Sequence, residues 1–247
     1  ADINLEFAGT LRDYQEPVVN KFIAHCKSVN VGGGLLELPC AWGKTSGSLY
    51  ILSRLKKKTL VIVHKEFLMD QWIERIKYFT DAKIGRIRCK IIDYENKDIV
   101  VGMVQSISMI DYDQKIFKDY GLVIYDEAHH LGSKVFSRCL MKTSAKYTIG
   151  LTATLERSDG MVKIINWFVG DTLCKMNRKR NYRVLVKKIN FRSSDKTFVE
   201  KKRWITGKIR PDHKSMVDNL LKNMERNKLI INMINNLKSR GRTIFVI

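Results

Sequence analysis

Between residues 35 and 170, short and continuously apolar runs alternate with helix-patterned stretches, and few architectures accept that order. Strand candidates occupy residues 35–38, 59–63, 99–104, 121–125 and 146–151. Residues 45–55 and 66–79 read as helices, the second carrying Leu68, Trp72, Ile76 and Phe79 on one stripe. Such alternation builds βαβ units, hence a parallel sheet. Strands that lack polar alternation are covered on both faces. The expectation is an α/β fold, a parallel sheet with helices on both sides.

After Gly170 the pattern changes. Residues 171–211 are very basic, with one strand-like piece at 184–191, and read as a linker region. Residues 212–239 read as helix, broken near Asn227 and ended by Gly241. Residues 242–247 then look like a new buried strand, and a lone strand lacks partners. The expected organisation is a first domain over 1–170, a basic linker over 171–211, and the beginning of a second α/β domain over 212–247.

Charge supplies the second constraint. The 247 residues contain 45 Lys and Arg against 25 Asp and Glu, a net charge of +20. Residues 171–247 hold 21 basic and 6 acidic side chains, or +15, leaving +5 for the strand-and-helix region. A polyanion is the natural partner of such a field, although a generally basic surface would have the same composition. Five scattered cysteines without a C-x-x-C spacing argue against a disulfide framework or zinc site and for a reducing, intracellular compartment. No run of 18 apolar residues suggests a membrane span.

Two short motifs fall at the ends of candidate strands. Gly43-Lys44-Thr45 follows the first and opens a helix, although Leu38 occupies the first glycine of the full G-x-x-x-x-G-K-[ST] pattern. Backbone N–H groups of residues 41–45 at a helix N-terminus can cradle phosphates, Lys44 can reach the β and γ oxygens, and the Thr45 hydroxyl can ligate Mg2+. A chance strand-to-helix turn has the same three letters. Asp126-Glu127 follows five apolar residues, 82 positions after Lys44. Asp126 suits a magnesium ligand and Glu127 a base for the attacking water. His129 and His130 invite a metal reading, but adjacent side chains are expected to diverge and no third ligand is near in sequence.

The motif order resembles superfamily 2 DEAH-type helicases, most closely the branch of XPB-type, phage UvsW-type and poxvirus-type transcript-release helicases. Leu11-Arg12-Asp13-Tyr14-Gln15 is similar to an adenine-reading Q-like motif. Leu38-Pro39-Cys40-Ala41-Trp42-Gly43-Lys44-Thr45 resembles motif I, and residues 61–72, with His64-Lys65 and Gln71-Trp72, resemble motif Ia. Asp126-Glu127-Ala128-His129 resembles motif II, and Leu151-Thr152-Ala153-Thr154 motif III. Leu155-Glu156-Arg157-Ser158-Asp159-Gly160 also suits this branch, and residues 242–247 resemble the first strand of a second RecA-like domain.

The resemblance implies a RecA-like P-loop NTPase that uses ATP and Mg2+ to move along or unwind DNA or RNA in repair or transcription. By matching position, Arg12 and Gln15 would meet adenine, and Ala41, Trp42, Gly43, Lys44, Thr45 and Ser46 would bind the phosphates. Thr45 and Asp126 would hold Mg2+, Lys44, Asp126 and Glu127 would carry the chemistry, and His129, Thr152 and Thr154 would couple it to movement. His64, Lys65, Gln105, Ser106 and Arg157 would contact nucleic acid. The implied partners are DNA or RNA, the second RecA-like domain of a longer chain, and transcription or repair proteins. The poxvirus-like likeness also suggests a viral source.

Three positions depart from the family pattern. Ala41 and Trp42 replace a small glycine-containing pair, which implies a bulkier phosphate loop and weaker nucleotide binding. Met103 stands where T-x-Q-S motifs have Thr, and Ser158 replaces the Glu of an R-E-D element. Two competing readings remain at this stage. A P-loop kinase or GTPase leaves the Q-like segment, residues 151–154 and the basic excess unexplained. A catalytically weak nucleic-acid-binding factor on the same fold is opposed by intact Lys44, Thr45, Asp126 and Glu127.

Overall fold

The computed structural model describes residues 1–133, 135, 137–154, 162–176, 188–205, 207–241 and 244. They divide into two compact units, residues 1–179 and 180–247. In the first, helix α1 (Glu16–Val29) precedes β1 (Gly32–Glu37), α2 (Lys44–Leu55), β2 (Thr59–Val63) and α3 (Glu66–Phe79). There follow β3 (Ile84–Arg88), β4 (Ile91–Asp93), β5 (Ile99–Met103), α4 (Val104–Met109) and β6 (Leu122–Asp126). A 3-10 turn at Ala128–Gly132, α5 (Ser137–Lys142), β7 (Tyr147–Thr152), α6 (Val162–Val169) and β8 (Thr172–Lys175) complete the unit.

The eight strands form one sheet in the order β4-β3-β5-β2-β6-β7-β1-β8. Every pairing is parallel except β3 with β4. All five strands expected from the sequence lie in its central part, and α3 has the expected bounds. Side chains alternate between two apolar layers along each strand. Leu36, Val61, Val101 and Ile124 face α1, α2 and α3, whereas Leu35, Leu60, Val100 and Val123 belong to the layer of α4, α5 and α6. Burial on both faces is the reason for the unbroken apolar runs. On α3 the buried set is Met69, Trp72, Ile73 and Ile76, with Leu68 and Phe79 half-buried at the margins of the expected stripe.

Residues 172–175, read from sequence as the start of the basic segment, form β8 beside β1. Strands β1 and β7 approach closely because Gly33 has no side chain. A Cβ there would lie 2.0 Å from the backbone oxygen of Thr148. Gly33→Ala is expected to destabilise the fold by about 1–3 kcal/mol, seen as a lower urea midpoint with an unchanged slope.

In the second unit β9 (Lys202–Ile205) and β10 (Lys208–Pro211) form an antiparallel hairpin, followed by α7 (His213–Lys222) and α8 (Met224–Ser239). The helical break falls at Asn223 and not at Asn227. The Asn223 side-chain oxygen accepts from the Arg226 N–H at 2.9 Å and caps α8, while Asn227 donates to the Leu221 carbonyl. Of the strand expected over 184–191, residues 188–191 carry no regular structure and 184–187 lie outside the described residues. The strand expected over 242–247 also lies outside them, apart from Ile244, which is irregular.

Candidate nucleotide site and nucleic-acid edge

A parallel sheet gathers the C-terminal ends of its strands on one edge, where ligands of open α/β folds bind. Here that edge receives residues 38–45 after β1, His64 and Lys65 after β2, and residues 104–106 after β5. It also receives Glu127 to His130 after β6 and Thr152 to Thr154 at the end of β7. The two principal motifs meet there: Lys44 Nζ lies 3.5 Å from Glu127 Oε1.

The loop between β1 and α2, the candidate phosphate loop, contains two left-handed residues. Gly43 has φ +90°, and Ala41, at the family's glycine position, has φ +63°. An alanine pays about 1–2 kcal/mol for that conformation, so the surrounding structure imposes it. Helix α2 begins at Lys44 without a capping side chain or an acidic residue in its first turn. The early N–H groups of such a helix are suited to an anion. The bulk expected in the loop is absent, because Trp42 is folded inward. Its ring meets the space over Gly47, near Val19, and it is 5% exposed within the apolar layer.

Gln15 is buried, and its amide is engaged within the chain. Its Oε1 accepts from the Arg12 N–H at 2.9 Å and its Nε2 donates to the Trp42 carbonyl at 2.9 Å. Here the Q-like segment therefore braces the phosphate loop. The exposed Arg12 guanidinium meets the Tyr14 hydroxyl at 2.6 Å.

Asp126 accepts from the Trp72 indole N–H through Oδ2 at 2.8 Å and from the Glu127 N–H through Oδ1 at 3.1 Å. Burial raises its carboxyl above the usual range, while the Trp72 hydrogen bond and Lys44 act in the opposite direction. Glu127, at φ +51°, is held between Lys44 and His129, whose Nδ1 is 3.4 Å from Oε2. The same His129 nitrogen lies 3.1 Å from Thr152 Oγ1, and that hydroxyl donates to the Thr154 carbonyl at 2.7 Å. His129 and Thr154, which with Thr152 the resemblance assigns to coupling, are thus both hydrogen-bonded to Thr152 beside Glu127.

The nucleic-acid set is only partly at the surface. Lys65 is exposed and His64 half-buried. Ser106 is buried, and its hydroxyl accepts from the Cys89 N–H at 3.0 Å, which corrects its reading as a surface contact. Gln105 donates to the His64 carbonyl at 2.7 Å, and its Oε1 is buried, so it supports the β2 end rather than facing outward. Arg157 lies outside the described residues. The adjacent histidines also differ from expectation: their rings are 4.2 Å apart, and the His64 ring lies 4.2 Å from that of His130. Burial and the neighbouring His130 and Lys65 lower the pKa of His64.

Trp72, given no separate role in the sequence reading, joins the candidate site through its hydrogen bond to Asp126. A Trp on a fully buried helix stripe needs an acceptor for its N–H, and that was the available signal. Trp72→Phe keeps an aromatic ring in the core but removes the donor to Asp126. It is expected to lower ATP turnover about tenfold or more with an unchanged circular-dichroism spectrum.

A family model described as ResIII, "Type III restriction enzyme, res subunit", matches residues 8–157. The "Putative ATP-dependent RNA helicase L396" of Acanthamoeba polyphaga mimivirus is 40% identical over 243 residues, 98% of this chain and 46% of its own. The "DNA 3'-5' translocase XPB2" of Sulfurisphaera tokodaii is 33% identical over 166 residues, 65% of this chain and 34% of its own. Among solved structures, the Sulfolobus solfataricus SWI2/SNF2 ATPase core in complex with dsDNA is similar with a TM-score of 0.54. That match is 20% identical and covers 69% of this chain and 37% of the other, a likeness of fold. The chain spans about half the length of the mimivirus relative and of the "Putative helicase 161L" of Invertebrate iridescent virus 6, and a third of the archaeal one. On the motifs, the sheet and these relatives, the chain belongs to the ResIII family, within the superfamily 2 helicases of the XPB and viral type.

Proposed function

We propose that the intact protein is an ATP-dependent helicase or translocase that couples ATP hydrolysis to movement along, or unwinding of, DNA or RNA. The observation that carries this reading is the contact between Lys44 and Glu127, continued through His129 to Thr152 at the strand edge that also presents Lys65. In this reading residues 1–170, extended by β8 to residue 175, are the first RecA-like domain, 176–211 a basic linker region, and 212–247 the beginning of the second. Transcription or repair proteins are the partner class suggested by the XPB-type likeness.

Residues 41–46 bind the triphosphate through the α2 N-terminus, and Lys44 neutralises its outer oxygens. Arg12 lies beside the expected adenine position, with Gln15 fixing the loop beneath it. Glu127 orients a water and accepts its proton, and Lys44 and His129 hold that carboxylate in place. Thr45 and Asp126 supply the hydroxyl and carboxylate oxygens that suit Mg2+, and Asp126 retains acceptor capacity beyond its two hydrogen bonds. Bound there, Mg2+ would neutralise charge on the phosphates. His129, Thr152 and Thr154 pass changes at Glu127 to the end of β7.

Nucleic acid meets the first unit at Lys65, with His64 behind it. In the second unit Lys202, Arg203, Lys208 and Arg210 lie on the β9–β10 hairpin, where Trp204 is 72% exposed and pairs across the strands with the exposed Ile209. Cations beside an exposed indole suit a sugar–phosphate strand with bases free to stack. The test is the ATPase rate of the intact protein with and without single- and double-stranded DNA and RNA. Stimulation by at least one, weakening steeply with salt, is expected. An ATPase indifferent to all of them would overturn the reading. Nucleic-acid binding without ATP turnover would favour the weak binding factor.

A further inference from the structure

Three histidine rings stand in series at the sheet edge. His130, in the 3-10 turn after Glu127, has ring-centroid distances of 4.2 Å to both His64 and His129, at tilts of 44° and 41°. One end of the series reaches the hydrolytic residues through the His129 contacts to Glu127 and Thr152. The other end is anchored at β2, where Gln105 binds the His64 carbonyl and the exposed Lys65 follows.

From this series we infer that His130 is a positioning residue that transmits nucleic-acid engagement at Lys65 to the Glu127 carboxylate. The inference rests on the function proposed above and specifies how that site is regulated. Packed rings change arrangement in discrete steps and do not absorb a displacement continuously. A shift of His64 on phosphate binding at Lys65 would therefore displace His130, and with it His129. The response has a hinge: Glu127 immediately precedes the turn in a left-handed conformation, φ +51°, which is strained for a side chain larger than glycine. Movement of the histidine pair changes the cost of that conformation and re-aims the carboxylate. Coupling of this kind needs an element with two arrangements, and the Glu127–His130 turn is the element proposed.

The test uses the intact protein and a single-stranded DNA oligonucleotide, its duplex, and the matching RNA. The expected result for His130→Ala is an unchanged basal ATPase and unchanged oligonucleotide affinity, with stimulation reduced about fivefold or more. His130→Phe restores a planar ring and is expected to recover most of the stimulation. Full stimulation of His130→Ala would overturn the inference while leaving the proposed function intact. Absence of stimulation in the wild-type protein would defeat the function itself, and the inference with it. Should His130→Ala not fold, ring-nitrogen NMR of the wild-type protein decides: shifts at both His129 and His130 on adding oligonucleotide support the coupling, and stationary signals overturn it.

Discussion

Glu127→Gln is expected to lower ATP turnover of the intact protein by about 10^2- to 10^4-fold while leaving nucleotide affinity nearly unchanged. The substitution keeps the shape of the side chain and an oxygen for Lys44, now 3.5 Å away, but removes the capacity to accept a proton from water. In the proposed reading binding depends on residues 41–46, and the substituted amide still offers Lys44 an oxygen. Single-turnover hydrolysis together with analogue titration checks both halves. A Glu127→Gln protein that retains most of its turnover would place the base elsewhere. Loss of affinity equal to the loss of rate would make Glu127 a binding residue.

The isolated chain of residues 1–247 is expected to bind ATP and nucleic acid but to hydrolyse ATP about 10^3-fold or more slowly than the intact protein. Phosphoryl transfer builds negative charge on the γ-phosphate oxygens, and a second cation beyond the loop lysine commonly stabilises it. Among the described residues, the Lys or Arg side chain ion-paired with the motif II carboxylates is Lys44. In the proposed reading the second RecA-like domain of a longer chain supplies that cation. Side-by-side rates of the two proteins, with saturating oligonucleotide, make the comparison. Near-full stimulated activity from residues 1–247 would show that a cation within this chain suffices.

The legible part of the fold was the part buried on both sides. Strands β1, β2, β5, β6 and β7 announce themselves because each lies between two helical layers and carries no polar alternation. The outer strands do not: in β3 the apolar residues are interrupted by Gly85, Arg86 and Arg88, and β8, at the edge, lies at the onset of the basic region. Helix α1 was missed although Val18, Val19, Phe22, Ile23 and Cys26 follow helical spacing after Pro17 at its first turn. The departure from motif I was legible as letters only. That Ala41 adopts the glycine conformation, and that Trp42 turns inward over Gly47, depends on packing between α1 and α2, which no local pattern encodes.

The site was legible where chemistry and sequence order coincide. Lys44, Asp126 and Glu127 are polar residues at or just after the ends of apolar strands, and the parallel topology alone brings them to one edge. Contacts made across the sheet were not legible. The Trp72 bond to Asp126 joins residues 54 positions apart, and the His64–His130–His129 series joins two strand ends. Gln105 and Ser106 were misplaced for the reverse reason. They are polar and follow a strand, but α4 begins at Val104 and carries Ser106 into the interior.

The most direct test is calorimetric titration of the intact protein with a non-hydrolysable ATP analogue, with Mg2+ present and absent, for the wild type and Lys44→Ala. Tight binding that needs Mg2+ and falls about tenfold or more in Lys44→Ala is the expected result. Equal affinity in the two proteins would contradict a triphosphate site at the Lys44 turn.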